Sequence, residues 1–212
     1  MIHMIIIRGG GKVKKISEED LEKMKGKILG EGSERTCYLY SYSCEKCLKI
    51  SKKKNCEQTM REIGYFQRLK KRNVKVNFLP EFYESFCTDR YIGYVQECFL
   101  SKANGGIWDV VSPLDQYIAN TENDIKMIRE ELSLLKKQMI ESNVICCDLS
   151  TSNVLKVKNE EVEKLVVIDG VGYSELVPLC EYMRLIGRRK IERQWNKLEN
   201  RISIWLEKRA LK

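Results

Sequence analysis

The sequence predicts an α+β fold, with a β-rich first half carrying one helix and a mainly helical second half. Three observations predict it. Short runs alternate apolar and polar residues at Thr36–Tyr42, Glu45–Ile50, Phe78–Phe86 and Arg90–Leu100, the period-two signature of half-buried strands. One stripe at helical spacing (Met60, Ile63, Phe66–Gln67) falls among them, within residues 57–72. A second stripe, Ile125, Ile128, Leu132, Leu135 and Met139, steps by three and four through about Thr121–Ser142. With 212 residues the chain can bury a core as one domain or two small lobes.

Composition narrows the class. Apolar residues make up 43% and charged residues 32%, the balance of a soluble globular chain. A formal net charge of +8 points to an acidic partner such as phosphate, nucleic acid or a phospholipid surface; a solvated basic face is the plain alternative. No apolar run approaches the roughly 20 residues that span a bilayer. Met1–Ile7 is too short for a signal-peptide core and reads as an edge strand, with Met4 a second candidate start. Nine cysteines without a secretion signal imply free thiols and a cytoplasmic location. Cys44-x-x-Cys47 lacks a second ligand pair for zinc, and Cys146-Cys147 reads as buried packing. His3 is the one histidine, which excludes histidine-based triads.

In chain order, Ser17 caps a short helix with an acidic first turn, and Gly26 stops it. Gly30-x-Gly32-Ser33 precedes a strand rather than a helix, which argues against a dinucleotide-binding turn. It reads as a glycine-rich hairpin over nucleotide phosphates, or as an ordinary turn. Glu45–Ile50 pairs with Cys37–Tyr42 across Ser43-Cys44, placing Cys47 and Lys49 on one face and Leu48 and Ile50 on the other. Lys49 is either a solvent-facing lysine, like Lys52-Lys53-Lys54 that follow, or, in the strand where a kinase places it, the cation for the α/β-phosphates, with Glu62, preferred over Glu57, the acid that orients it. Thr88-Asp89 turns the next strand pair, whose end runs into a flexible link, Ser101–Gly106. Such a strand end resembles the place where a two-lobed kinase carries its adenine-binding hinge, which implies that backbone groups near Glu97–Phe99 would meet the base. Ser112 is expected as an N-cap with Pro113 at the first helical position. After Gly172 only two or three helices fit. Tyr182, Leu185, Ile186, Trp195, Leu198, Ile202 and Trp205 would form their apolar side. Arg188-Arg189-Lys190 would be a ligand contact or a solvated face.

The chemistry concentrates in Val144–Leu155 and Val166–Gly170. An apolar run ends in Asp148, and Asn153 follows four residues later; a second run ends in Asp169-Gly170. A hairpin, Asn153–Lys158 with Glu163–Ile168 turning at Asn159-Glu160, puts Asn153 and Asp169 at strand ends. Phosphoryl transfer needs a carboxylate beside the incoming hydroxyl, the role of Asp148. It also needs hard oxygen ligands for Mg²⁺, the role of Asn153 and Asp169.

Gly30-x-Gly32, Lys49, Glu62, Asp148-x₄-Asn153 and Asp169-Gly170 follow the order of the protein-kinase-like fold, which implies a bilobal architecture. A small β-rich N-lobe with one helix would span residues 1–100, and a reduced, mainly helical C-lobe 101–212. Leu29–Tyr38, Cys47–Ile50, Asp148–Leu155, Ile168–Leu179 and Arg188–Trp195 further resemble the bacterial PhoP-regulatory-network protein family, YrbL-like. The resemblance implies an ATP- and Mg²⁺-dependent phosphotransferase with an unidentified hydroxyl acceptor. Departures include Arg35 for the third loop glycine, Cys146-Cys147 before Asp148, no phenylalanine after Asp169, and no Ala-Pro-Glu segment. They point to a small-molecule, sugar or lipid-headgroup acceptor. They leave open a pseudokinase-type nucleotide-binding module, with a basic polyanion binder as the third reading.

Overall fold

A computed structural model of the chain describes residues 4–7, 11–102, 108–120, 122–158, 163–173 and 179–210. The expected turn Asn159-Glu160 and the link residues 103–107 lie outside these. Two compact units result: Met1–Lys75 with Pro80–Val110, and Val76–Leu79 with Val111–Lys212.

The first unit is built on a seven-stranded sheet: β1 (Met4–Ile7), β2 (Gly11–Lys15), β3 (Lys25–Glu31), β4 (Arg35–Tyr40), β5 (Ser43–Lys52), β6 (Phe82–Cys87) and β7 (Tyr91–Glu97). Its order is β1-β2-β6-β7-β5-β4-β3. All neighbours are antiparallel except β2 and β6, which run parallel over two residue pairs. β1 pairs with β2 alone, as expected of an edge strand. Helix α1 (Glu18–Met24) begins at Ser17, whose Oγ accepts from the Asp20 amide at 3.0 Å. It ends at Lys25, not Gly26. Gly26 lies in β3, where a Cβ would meet the Leu39 carbonyl oxygen at 2.8 Å, so close strand approach explains the glycine.

Leu48 and Ile50 share one sheet face, as their alternation requires, and pack with Leu21, Phe86 and Val95. Burying such side chains stabilises by about 1.5–3 kcal/mol each. Helix α2 (Glu57–Lys71) buries Ile63, Tyr65, Phe66 and Leu69. Phe66 stacks on Phe82 with centroids 5.2 Å apart, and Tyr94 closes the aromatic group. Two strand expectations shift. The β4–β5 turn falls at Ser41-Tyr42, two residues early, because Tyr40 pairs with Ser43. Phe78–Glu81 is not strand: Phe78 and Leu79 are buried in the second unit instead. Ser101 and Lys102, expected in the link, are strand instead, since β8 (Leu100–Lys102) pairs antiparallel with β9 (Trp108–Val110).

The second unit packs α3 (Leu114–Ala119), α4 (Ile125–Ser142), the hairpin β10 (Val154–Lys158) and β11 (Glu163–Val167), α5 (Leu179–Tyr182) and α6 (Arg184–Ala210). Pro113 itself is the cap residue of α3, one position later than expected of the cap. Asp124 caps α4, accepting from the Lys126 and Met127 amides. The stripe residues Ile128, Leu132, Leu135 and Met139 are buried. Trp195, Leu198 and Ile202 anchor α6, while Arg209 reaches the carbonyls of Ile118 and Asn123. Tyr182 and Leu185 are 71% and 77% exposed, contrary to their expected core role. They sit at the α5–α6 junction, where the helical phase breaks. Lys190 is buried beside the Tyr173 ring, whereas Arg188 and Arg189 are exposed.

Candidate functional site

Two groups of the expected site residues form, one in each unit. In the first unit the β3–β4 hairpin carries Gly30, Gly32 and Ser33, with the Gly32 amide bonded to the Arg35 carbonyl at 2.8 Å. Among the described residues a Cβ on Gly30 would meet nothing within 4 Å, so no packing there demands glycine. The next two residues tie the hairpin down. Glu34 caps α2, accepting from the Gln58 and Thr59 amides at 2.9 Å each, where Cys56 at the cap position offers no side-chain bond. Arg35 forms a buried two-pronged pair with Glu62, Nη1 to Oε2 at 2.6 Å and Nη2 to Oε1 at 3.2 Å. The Tyr94 hydroxyl donates to the same Oε2 at 2.5 Å.

Glu62, expected to orient Lys49, takes Arg35 on both of its carboxylate oxygens, a cation the sequence did not point to. Lys49 stands beside this network in β5, opposite Tyr94, 4% exposed and with its ammonium 6.0 Å from the Tyr94 ring centroid. Glu57, the competing acid, is exposed. At the end of β7 the Glu97 amide donates to Glu81 and the Cys98 amide to Glu45, so those two donors belong to the fold. Nearby, the Cys37 contact pulls the Cys47 thiol down, but hydrogen bonding with Cys98 and burial outweigh it and push it up to about 12.

In the second unit Asp148, Asn153 and Asp169 are brought together by the loop itself. Val144, Ile145 and Cys146 are fully buried, and Cys146 bridges Val171 in antiparallel fashion. The Gly170 carbonyl accepts from the Cys147 and Asp148 amides at 2.8 and 3.4 Å. Gly170 has φ +71°, and a Cβ there would meet the Asp148 carbonyl oxygen at 2.5 Å. Only glycine allows that approach. Asn153 ends a short 3₁₀ turn, Thr151–Asn153, and its Nδ2 donates to the Asp148 carbonyl at 3.1 Å and to Oδ2 at 3.2 Å. That orientation turns the Asn153 amide oxygen away from Asp148. The Asp169 carboxylate accepts from the Gly170 amide at 2.5 Å. An amide oxygen and a carboxylate are the hard donors Mg²⁺ takes, so the residues present fit that ion.

Sequence reasoning missed Glu34, Arg35, Tyr94 and Arg201. Arg201 lies on α6 with Nη1 3.6 Å from the Asp148 Oδ1. Arg35 had a signal, an arginine where a glycine was expected, but its partner lies 27 residues away.

The fold and these two groups define an α+β protein with a glycine-bearing hairpin beside a buried lysine, and an Asp-Asn-Asp loop in its helical unit. Among the described residues no helix is long and apolar enough to cross a membrane. Residues 21–203 match the family described as PhoP regulatory network protein YrbL, and the chain belongs to that family. It is 27% identical over 183 residues to an uncharacterized protein YrbL of Escherichia coli (strain K12), covering 80% of this chain and 81% of that one. The uncharacterized protein YrbL of Shigella flexneri matches with the same figures.

Proposed function

We propose that this chain is a cytoplasmic, ATP- and Mg²⁺-dependent phosphotransferase of bilobal, protein-kinase-like fold that acts on a hydroxyl acceptor. The observation that carries the reading is the closure of Asp148, Asn153 and Asp169-Gly170 onto one loop by backbone and side-chain hydrogen bonds. Supporting it is the antiparallel run β3-β4-β5-β7-β6, with α2 between β5 and β6 in sequence. The Asp-x₄-Asn and Asp-Gly segments follow in a helical unit, as in kinases.

Mg²⁺-ATP, when bound, supplies the phosphoryl group, and the metal neutralises its developing charge. Lys49 holds the α/β-phosphates from β5. Gly30 and Ser33 present backbone donors to phosphate, while Gly32, its amide held by the Arg35 carbonyl, keeps the approach clear of a side chain; adenine contacts fall to backbone groups near Glu97–Phe99. Glu62 orients Lys49, and Arg35 and Tyr94 hold the Glu62 carboxylate in place. Asn153 and Asp169 hold the metal. Asp148 accepts the acceptor's proton and aims its oxygen; since positioning and charge stabilisation do most of such catalysis, its loss is costly.

Asp148→Ala should lower turnover by about 10²–10⁴-fold while leaving Mg²⁺-ATP affinity intact. Asp169→Ala should weaken Mg²⁺-ATP binding. Calorimetry and γ-phosphate release in cell extract read the two; equal, unaltered turnover in both variants would falsify the assignment. A second reading, a nucleotide-binding regulatory module without transfer, is favoured by Cys146-Cys147 and by the lack of phenylalanine after Asp169. It predicts ATP binding with no γ-phosphate loss in any extract. Binding to a polyanion with steep salt dependence and without nucleotide would favour the third, a basic polyanion binder.

A further inference from the structure

The second unit holds an open cleft of about 350 Å³ at Asp148. Ser150, Thr151 and Ser152 line one side; Arg201, Ile204 and Trp205 of α6 line the other. Arg201, Ile204, Trp205 and Lys208 are spaced so that they share one helix face. The Lys208 ammonium lies 5.0 Å from the Trp205 ring centroid. Ile204 is 51% exposed, so this face is not core.

Arg201 is the informative residue. Among the described residues its ion pair is with Asp148, at 3.6 Å with both side chains about half exposed. A screened contact of that kind holds a guanidinium only weakly. A planar cation with five donors is thus kept beside the candidate base without a strong partner. A carboxylate or phosphate would take it in a two-pronged hydrogen bond. The neighbouring hydroxyls suit a ligand that itself carries hydroxyls: Ser150 and Ser152 already exchange a bond at 3.0 Å. Trp205 offers a flat apolar surface to the C–H face of a small ring. The volume stands at the small end of the range for small-molecule sites.

We propose that this cleft is the acceptor site, and that the acceptor is a small polyol carrying an anionic group, such as a sugar phosphate or a sugar acid. The proposal rests on the phosphotransferase reading and deepens it. Arg201 binds the anion, so that a hydroxyl at the other end of the molecule reaches Asp148. That hydroxyl gives its proton to the Asp148 carboxylate as its oxygen bonds to the γ-phosphorus. The bond from γ-phosphorus to the bridging oxygen breaks, and ADP leaves with the electron pair.

The test is an ADP-release assay on the full chain, with products identified by mass spectrometry. Its acceptors are glucose 6-phosphate, gluconate and glycerol 3-phosphate, set against glucose, glycerol and phosphatidylglycerol vesicles. Mg²⁺-ATP binding is measured separately by calorimetry. At least one soluble anionic polyol should raise ADP release tenfold or more, with the neutral compounds under twofold. Arg201→Gln should raise that acceptor's KM at least tenfold and leave the KM for ATP within twofold; Trp205→Leu should also raise the acceptor KM. Equal use of neutral compounds, phosphorylation of vesicles alone, an unmoved acceptor KM in Arg201→Gln, or no acceptance by a protein that binds Mg²⁺-ATP overturns the proposal alone. Failure to bind Mg²⁺-ATP overturns the phosphotransferase reading, and this proposal with it.

Discussion

Arg35→Met tests whether the glycine-bearing hairpin is held by one buried ion pair. The substitution keeps much of the side-chain volume and removes both hydrogen bonds to Glu62, at 2.6 and 3.2 Å. An exposed pair would contribute about 0–1 kcal/mol. This pair is buried, with side chains 6% and 1% exposed, and removing one partner of a buried pair costs about 3–5 kcal/mol. The Tyr94 hydroxyl still donates to the carboxylate, which places the expectation at the lower end, about 3 kcal/mol. That is roughly a 100-fold rise in the opening equilibrium. Because the chain has two units, a single melting temperature would mix their transitions. Hydrogen exchange of peptides from β4 and α2 isolates the effect: their amides should exchange about 100-fold faster, with peptides from α4 and α6 unchanged. The double variant Arg35→Met with Glu62→Leu should recover part of the loss, since the Glu62 carboxylate is then no longer buried without Arg35. A single-variant effect below about 1 kcal/mol would refute the reasoning, because the pair would then behave as a surface contact.

Three further outcomes are expected. Gly170→Ala forces a Cβ to 2.5 Å from the Asp148 carbonyl at φ +71°, and should cost about 2–4 kcal/mol in urea unfolding; wild-type stability would contradict the close approach. Lys156→Met removes a buried ammonium from Glu131 and Glu163, the latter at 2.7 Å, and should cost about 3 kcal/mol in denaturant unfolding followed by Trp195 fluorescence. The Cys47 thiol is raised from 9.0 to about 12, so folding binds its proton more tightly. The resulting stability is complete below pH 9 and is lost as pH rises from 9 toward 12. Cys47→Ala should flatten that part of the alkaline unfolding curve, and native alkylation should label exposed Cys44 well before Cys47.

Local patterns were the legible part of this chain. The alternation of Leu48 and Ile50 gave their shared face, and the three-four stepping of Ile128, Leu132, Leu135 and Met139 gave the buried side of α4. Asp148, Asn153 and Asp169 could be grouped because their spacing and strand ends are sequence properties. Long-range choices were not legible. Arg35 and Glu62 meet across 27 positions, and nothing in either neighbourhood marks the partner. Phe78-Leu79 has strand-like residues, yet tertiary burial claims it for the other unit. Tyr182 and Leu185 fit a helical stripe, but the register changes between α5 and α6 and turns them outward. Arg201, 53 residues beyond Asp148 in the chain, needed the packed α6 before it could be assigned to the cleft.

The placement of Val76–Leu79 constrains how this protein can be divided. The Val167 amide donates its hydrogen bond to the Phe78 carbonyl at 2.8 Å, so β11 is completed by a segment made some ninety residues earlier. A fragment starting at residue 111 would lack that peptide, and a fragment ending at 110 would carry it with no hairpin to seat it in. During synthesis this bond must wait until Val167 has been made. Coexpressed halves should therefore associate better than either half survives alone.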